Sequence, residues 1–315
     1  MGKFCFGVDL GGTTVKIGLF DPEGMVLEKW EIPTRKDGNG SKILPDIAEA
    51  ILNKTAEKKI AAEDVIGVGI GVPGPVDERG VVHRAVNLGW DVIDINETLG
   101  GLLNMPVRAG NDANVAALGE MWCGGGKGCT NMVLATLGTG VGGGIIVNGK
   151  MVTGATGAGG EIGHIHIEDN EPEACGCGNH GCLEQYASAT GVVRLAERKL
   201  AASAQDSVLR TAKAEGRLSA KAVFDAVKAG DTLACEVAEQ FGDYLGKGFA
   251  AIAGVVNPEV FVLGGGVSKA GEILCEYVSK YYTKYVFHGA ADAQFKLATL
   301  GNDAGIYGAA KLVLE

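Results

Sequence analysis

Phe4-Cys5-Phe6-Gly7-Val8-Asp9-Leu10-Gly11-Gly12-Thr13-Thr14-Val15-Lys16-Ile17-Gly18-Leu19-Phe20 is an apolar run, a glycine and threonine turn, and a second apolar run. The layout predicts a β-hairpin with little side chain at its tip, closed off by the turn signal Asp21-Pro22-Glu23-Gly24. It recurs at Met132-Val133-Leu134-Ala135-Thr136-Leu137-Gly138-Thr139-Gly140-Val141-Gly142-Gly143-Gly144-Ile145-Ile146-Val147, followed by Asn148-Gly149. Two such hairpins, each opening a mixed α/β stretch, predict an α/β protein of two related lobes facing one another across a cleft.

Length agrees with two lobes, because 315 residues exceed the ~250–300 that one core usually serves. Apolar residues at 46% and charged residues at 21% allow a substantial core. The 51 glycines follow no collagen-like period, so they point to many tight backbone turns. With 28 Lys and Arg against 38 Asp and Glu, the net charge of −10 disfavours nucleic acid as a partner. No stretch approaches the ~18–20 continuous apolar residues that span a bilayer, and the start reaches Asp9 too soon for a signal peptide. A cytoplasmic protein without a membrane anchor is expected. Thiols stay reduced there, so the eight cysteines argue for metal or buried thiols before disulfides.

Outward from the hairpins, Ile43, Leu44, Ile47, Ala48, Ile51 and Leu52 fall at helical spacing within residues 41–57, and 65–72 reads as a strand. Helices are expected over 113–121, 189–201, 219–228 and 231–256, the last capped by Asp231 and stopped by Asn257-Pro258. A strand over 260–263 runs into Gly264-Gly265-Gly266, with a helix expected to begin directly after it. A final helix over about 303–314 is expected to pack on the N-terminal lobe.

In Asp9-Leu10-Gly11-Gly12-Thr13-Thr14, two positions without Cβ let phosphate oxygens approach backbone amides while two hydroxyls offer further bonds. Asp9, at a strand end, is placed to hold Mg²⁺ through water. The same turn also reads as an ordinary hairpin tip, but Gly138-Thr139-Gly140 and Gly264-Gly265-Gly266 supply two more, and together they fit a clamp on a nucleotide triphosphate. Gly69-Ile70-Gly71-Val72-Pro73-Gly74 matches the dinucleotide fingerprint, yet Pro75 follows and no helix opens, so that fold is rejected. Gly126-Lys127-Gly128 lacks the Ser or Thr that a P-loop places after its lysine.

Asn111-Asp112 stands where a strand ends and a helix begins, so Asp112 is either a helix cap or a base that takes a proton from a substrate hydroxyl. Glu161-Ile162-Gly163-His164 precedes Cys175-Gly176-Cys177-Gly178-Asn179-His180-Gly181-Cys182-Leu183-Glu184. Three thiolates and a histidine, His164 or His180, make the four N/S ligands of a closed tetrahedral Zn²⁺ site. Such an ion does no chemistry itself but fixes the loop that carries it. Glu161, Glu184 and Asn87 add acceptors of the kind that surround a sugar, though each alone also reads as a solvated surface residue.

At these residues the chain closely resembles the ROK family of repressors, open-reading-frame proteins and sugar kinases, and within it the bacterial ATP-dependent glucokinases. The matching stretches are 9–16, 69–77, 111–122, 137–144, 154–164, 175–188 and 263–268. The resemblance implies an actin-like, hexokinase-like two-lobed fold with ATP and glucose in the interlobe cleft. It implies a small α/β domain of residues 1–115 plus 301–315 and a large one of 116–300 carrying the zinc loop. It makes Asp112 the general base and Asn87, Asn111, Asp112, Glu161, His164 and Glu184 sugar ligands. Asp9, Gly11, Gly12, Thr13, Thr14, Lys16, Gly138, Thr139, Gly140, Gly264, Gly265 and Gly266 become the contacts to ATP and Mg²⁺. His164, Cys175, Cys177 and Cys182 become the ligands of structural Zn²⁺. The implied reaction moves the ATP γ-phosphoryl group to the 6-hydroxyl of glucose, with lobe closure to exclude water. Another hexose or N-acetylhexosamine is the alternative acceptor, a homodimer or homotetramer is expected, and a DNA-binding repressor is disfavoured by the short segment ahead of Asp9.

Overall fold

The computed structural model describes residues 3–315; Met1 and Gly2, the start of the expected small domain, lie outside them. Strands β1 (Phe4–Leu10), β2 (Thr14–Phe20) and β3 (Val26–Pro33) lead through the single turn α1 (Asp37–Gly40) to α2 (Ile43–Glu57) and β4 (Val65–Val72). A short ribbon of β5 (Val81–Val82) and β6 (Ile93–Asp94) precedes α3 (Ile95–Leu103), β7 (Val107–Asn111) and α4 (Asp112–Cys123). Next come β8 (Met132–Leu137), β9 (Val141–Val147) and β10 (Lys150–Met151), then α5 (Glu184–Ala187), α6 (Ala189–Ala202), α7 (Val208–Ala214), α8 (Ala220–Lys228) and α9 (Thr232–Val256). The chain closes with β11 (Val260–Gly264), α10 (Glu272–Tyr285), β12 (Gln294–Leu297) and α11 (Ala304–Val313). Among the described residues no helix is long and apolar enough to cross a membrane.

The two expected hairpins are present, and each seeds a five-stranded sheet. One has the order β3-β2-β1-β4-β7 and the other β10-β9-β8-β11-β12. In both, a hairpin and a third antiparallel strand stand on one side, and two strands join in parallel on the other. The internal duplication read in the sequence is therefore a duplication of sheet topology. Asp9 pairs with Gly71 of β4, and Thr136 pairs with Gly264 of β11, so Asp9 and Thr136 hold matching places at the ends of their parallel strands.

The chain forms two compact units. The first comprises residues 1–130, 144–160 and 300–315, and the second 131–143 and 161–299. Residues 116–130 and 144–160 thus fall in the first unit, where the division into 1–115 plus 301–315 and 116–300 placed them in the other. The reason is the contact between α4 and α11. A Cβ on Gly308 would lie 1.6 Å from the carbonyl oxygen of Val115, so these helices meet backbone to backbone and cannot belong to separate bodies. Gly69 works similarly: a Cβ there would lie 1.7 Å from the Ala309 oxygen, so this glycine of the rejected dinucleotide motif seats α11 on β4.

Phe6, Val8, Ile17, Ile47, Ile70 and Leu99 fill the core of the first unit between its sheet and α2 and α3. In the second, the long helix α9 buries Leu233, Val237, Phe241, Leu245 and Phe249, as its 3.6-residue periodicity requires. Asp231 caps α9 as expected, accepting from the Ala234 amide at 2.9 Å. The helix expected directly after Gly266 is instead a 3-10 turn, Val267–Ala270, and α10 starts only after Gly271. Gly271 has φ of +86°, which no right-handed helix continues through.

Candidate active site and metal centre

In the first unit the marked residues gather at the carboxyl ends of the parallel strands β1, β4 and β7, where open α/β sheets bind ligands. Asp9 leads into the Gly11–Thr14 turn, which is braced internally. The Gly11 amide donates to Thr14 O at 3.1 Å, and Thr34 ties the turn twice, through its amide to Thr13 O and its hydroxyl to Gly11 O. Gly11 therefore contributes shape rather than a donor, and Gly12 and the exposed Thr13 form the tip. Lys16, opposite Asp9 on β2, donates from Nζ to Asn302 O at 2.9 Å. Burial pushes the Asp9 carboxyl up to about 6; Lys16 opposes the shift and the nearby charge of Asp112 adds to it. Two carboxylates thus share one corner of this unit.

The sequence left open whether Asp112 caps its helix. Asn111 does so instead, with Oδ1 accepting from the amides of Ala113 and Asn114 at 3.0 and 3.1 Å while its Nδ2 donates to Gly74 O. Asp112 is the first residue of α4, with Oδ1 accepting from the Ala113 amide at 2.8 Å. Asn87 lies exposed on the 3-10 turn Val86–Leu88.

In the second unit, three segments meet at Val141. Its amide donates to Glu184 Oε2 at 2.9 Å, and a Cβ on Gly163 would lie 2.2 Å from its carbonyl oxygen. The Gly138–Gly140 turn, the Glu161–His164 turn and the start of α5 are thereby fixed on one another. A Cβ on Gly140 would lie 2.2 Å from the same Glu184 oxygen, so a side chain there would make that carboxylate move. Gly138 O and Thr139 O accept from the Ala189 amide and the Thr190 hydroxyl, which pins the turn to the start of α6. Thr136 and Gly264 are paired, so Gly138-Thr139-Gly140 and Gly264-Gly265-Gly266 leave adjacent strand ends.

His164, Cys175, Cys177 and Cys182 come together with all four ligand atoms within 4.8 Å of one another. Cys177 Sγ is 3.6 Å from Cys182 Sγ, and Cys175 Sγ is 3.8 Å from His164 Nδ1. Ligands held ~2.0–2.3 Å from a tetrahedral ion lie about 3.4–3.8 Å apart, so these two separations are those of neighbouring ligands on a Zn²⁺ ion. Burial raises the Cys175 and Cys182 thiols, a preference that a divalent cation reverses. His180, the other candidate nitrogen ligand, is engaged elsewhere, with Nδ1 3.0 Å from Glu171 O. Cys175 Sγ also reaches Glu184 Oε1 at 3.7 Å, so one carboxylate joins the cysteine cluster to the glycine turn. Of the remaining cysteines, Cys5 and Cys275 are buried and Cys123, Cys129 and Cys235 half-buried, all as free thiols.

The sequence reading missed the support behind this loop. The Glu171 side chain is wholly buried and takes both terminal nitrogens of Arg198, at 2.9 and 2.8 Å, plus the Tyr186 hydroxyl. Gln185 binds the Cys182 amide and Glu173 O, which ties the same network to the cluster. An acidic residue in a Glu- and Asp-rich loop gives no sign that it will be buried; only its partner on α6 decides that.

The ROK family pattern matches residues 5–315. A glucokinase of Halalkalibacterium halodurans is 43% identical over 315 residues, covering 99% of this chain and 96% of that protein. Among solved structures, a ROK hexokinase from Thermus thermophilus aligns with a TM-score of 0.78 at 34% identity, covering 98% of this chain and 97% of that one. A ROK family glucokinase from Streptomyces griseus in complex with glucose and AMPPNP aligns at 0.72 and 34%, covering 98% of each. The chain belongs to the ROK family, and its α/β units have the actin-like, hexokinase-like fold of that family's kinases.

Proposed function

We propose that this chain is an ATP-dependent glucokinase that transfers the γ-phosphoryl group to the 6-hydroxyl of glucose, with Asp112 as the general base. The observation that carries the reading is the division of labour at the start of α4. Asn111 caps the helix, and Asp112, whose Oδ1 also takes the Ala113 amide, brings its charge to the corner that holds Asp9. Identities of 43% and 36% over nearly the full length to two proteins named glucokinase support glucose as the acceptor. Asp112 receives the proton of the attacking hydroxyl, and Asn87, Asn111, Glu161, His164 and Glu184 hold the sugar ring. Gly12, Thr13 and Thr14 together with 138–140 and 264–266 cradle the phosphates. In such a loose transition state the protein's work is alignment and charge stabilisation.

Asp9 has the right chemistry for Mg²⁺, since a cation relieves the burial that raises its pKa. Bound there, Mg²⁺ would neutralise phosphate charge. His164, Cys175, Cys177 and Cys182 would hold structural Zn²⁺, which keeps Glu184 and the Val141 junction in place. Water in the site would turn transfer into hydrolysis, so the site must exclude it while the γ-phosphoryl group moves. An ATP donor and a site built on thiols fit a cytoplasmic enzyme, and the family resemblance fits a homodimer or homotetramer.

A coupled assay of ATP against a panel of hexoses and N-acetylhexosamines tests the reading. Glucose is expected to give the highest kcat/KM. Preference for an N-acetylhexosamine would reassign the acceptor, and ATP consumption unaffected by any sugar would refute the kinase.

A further inference from the structure

Asp9 is half-buried, and on one side its carboxylate is covered by bare backbone. A Cβ on Gly305 would lie 2.6 Å from Asp9 Cγ, 2.8 Å from Oδ2 and 3.0 Å from Cβ, so the side chain rests against the first turn of α11. Gly305 has no left-handed φ and sits inside the helix, where alanine is the better helix former. Its conformation therefore does not call for glycine; the contact with Asp9 does. The helix is also held where it is. A Cβ on Gly7 would lie 1.9 Å from Ile306 O, so α11 is pressed onto β1 beside Asp9 as closely as onto β4 at Gly69. Just ahead of the helix, the Lys16 ammonium on β2 donates to Asn302 O at 2.9 Å, and Lys29 on β3 pairs with Asp303 at 2.6 Å. Three strands of one sheet thus hold Asn302, Asp303 and Ile306, on either side of Gly305, and all of these residues belong to the first unit. A side chain at 305 has no helix movement to relieve it, so the Asp9 carboxylate must move instead.

We propose that Gly305 is a positioning residue for phosphoryl transfer: its missing side chain leaves the space in which the Asp9 carboxylate lies, and so sets where that carboxylate meets the cation carried by the nucleotide. Resting on the kinase reading above, this gives the metal side of the site a determinant far along the chain from its phosphate turns. Mg²⁺ demands a nearly ideal octahedron of oxygen ligands and tolerates little displacement among them. A misplacement of about 1 Å in such a site can cost about 10²-fold in rate. Through Asn302 O the same short segment also fixes Lys16, so one stretch of chain spaces the acid on β1 from the ammonium opposite it on β2.

Gly305→Ala, Asp9→Ala and the double variant test this. Mn²⁺ is the probe, with free Mn²⁺ read by electron paramagnetic resonance in the presence of AMPPNP. Kinetics with Mg·ATP and glucose, calorimetric titration with glucose and thermal midpoints accompany it. Gly305→Ala is expected to weaken Mn²⁺ binding and to lower kcat, each by about ten-fold or more, with glucose affinity within about two-fold of wild type. In the Asp9→Ala background the same substitution is expected to change Mn²⁺ binding and kcat by less than about two-fold, because the group it displaces is gone. Its effect on the midpoint turns more favourable there, by about 3 °C or more. Should Gly305→Ala alone fail to fold, the double variant is still expected to fold, since only the 3.0 Å contact with the Cβ at position 9 remains. Equal effects in both backgrounds, or a double variant that does not fold while Asp9→Ala does, would show a merely structural glycine and overturn the proposal. Unchanged Mn²⁺ binding in Asp9→Ala would remove the metal role of Asp9, and this proposal with it. A wild-type chain that phosphorylates no hexose would overturn the kinase reading, while the Mn²⁺ and midpoint comparisons would still decide whether Gly305 seats Asp9.

Discussion

Replacing Arg198 with methionine keeps most of the side-chain volume and removes the charge that faces Glu171. The Glu171 side chain has no exposure to solvent, so the variant leaves a carboxylate buried without its counter-ion. Breaking such a pair from one side costs about 3–5 kcal/mol. A second route gives a similar figure. The Arg198 guanidinium, aided by the Tyr186 hydroxyl, holds the Glu171 carboxyl down at about 2 against an ordinary 4.5, a difference that corresponds to about 3 kcal/mol. Arg198 keeps 40% of its own side chain in water, which favours the lower end. At ~2–4 °C per kcal/mol, the midpoint of the second unit falls by roughly 6–12 °C in calorimetry at pH 7. The pH dependence has a definite sign. A carboxyl with a depressed folded pKa contributes stability that is full above 4.5 and is lost as pH falls toward 2. The gap between wild type and Arg198→Met therefore narrows by ~1 kcal/mol at about pH 3.5. Adding Glu171→Gln to the variant recovers most of the loss. A gap below about 1 kcal/mol at pH 7, or one that does not narrow in acid, would refute the account. Because Gln185 ties the Cys182 amide to Glu173 beside this pair, the same variant, loaded with Zn²⁺, is expected to lose the metal to a chelator faster than wild type.

Asp112→Asn is expected to lower kcat by ~10²–10⁴-fold with the sugar KM within about three-fold, read by a coupled ATP assay; near-normal turnover would remove Asp112 from its role. Asp9→Asn should separate stability from activity. A raised folded pKa means that the stability contribution is full below about 3.8 and lost as pH rises through about 6, so the variant melts higher at pH 7, by about 1–3 kcal/mol, yet loses Mg·ATP turnover. An unchanged or lower melting midpoint would count against the assignment. Gly140→Ala forces Glu184 off the Val141 amide, so kcat/KM should fall at least ten-fold while the zinc content stays at one ion per chain. Wild-type kinetics in that variant would show that the junction is slack. Removing zinc with a chelator should lower glucose affinity, measured by calorimetric titration, because His164 and the loop carrying Glu184 lose their anchor.

Both hairpins were legible in the sequence because glycine and threonine between apolar runs allow little else, and so were the long helices, whose faces repeat every 3.6 residues. The cysteine cluster was legible for a related reason, since ligand number is a property of composition and local spacing. Other features depend on partners far along the chain. That α4 belongs with residues 300–315 follows from Gly308 meeting Val115, which no local pattern announces. The helix expected after Gly266 failed because Gly271, five residues on, interrupts it. No local pattern marks Glu120 for burial, which is decided by amides at positions 125 and 300. Whether Asn111 or Asp112 would cap α4 was undecidable from two adjacent residues that are both good caps.

The matching places of Asp9 and Thr136 carry a last consequence. The two sheets share a plan and differ in charge at these places: one strand end bears an ionisable acid, and its counterpart a neutral hydroxyl. Of these two strand ends, only the one that bears Asp9 can offer a cation a full negative charge.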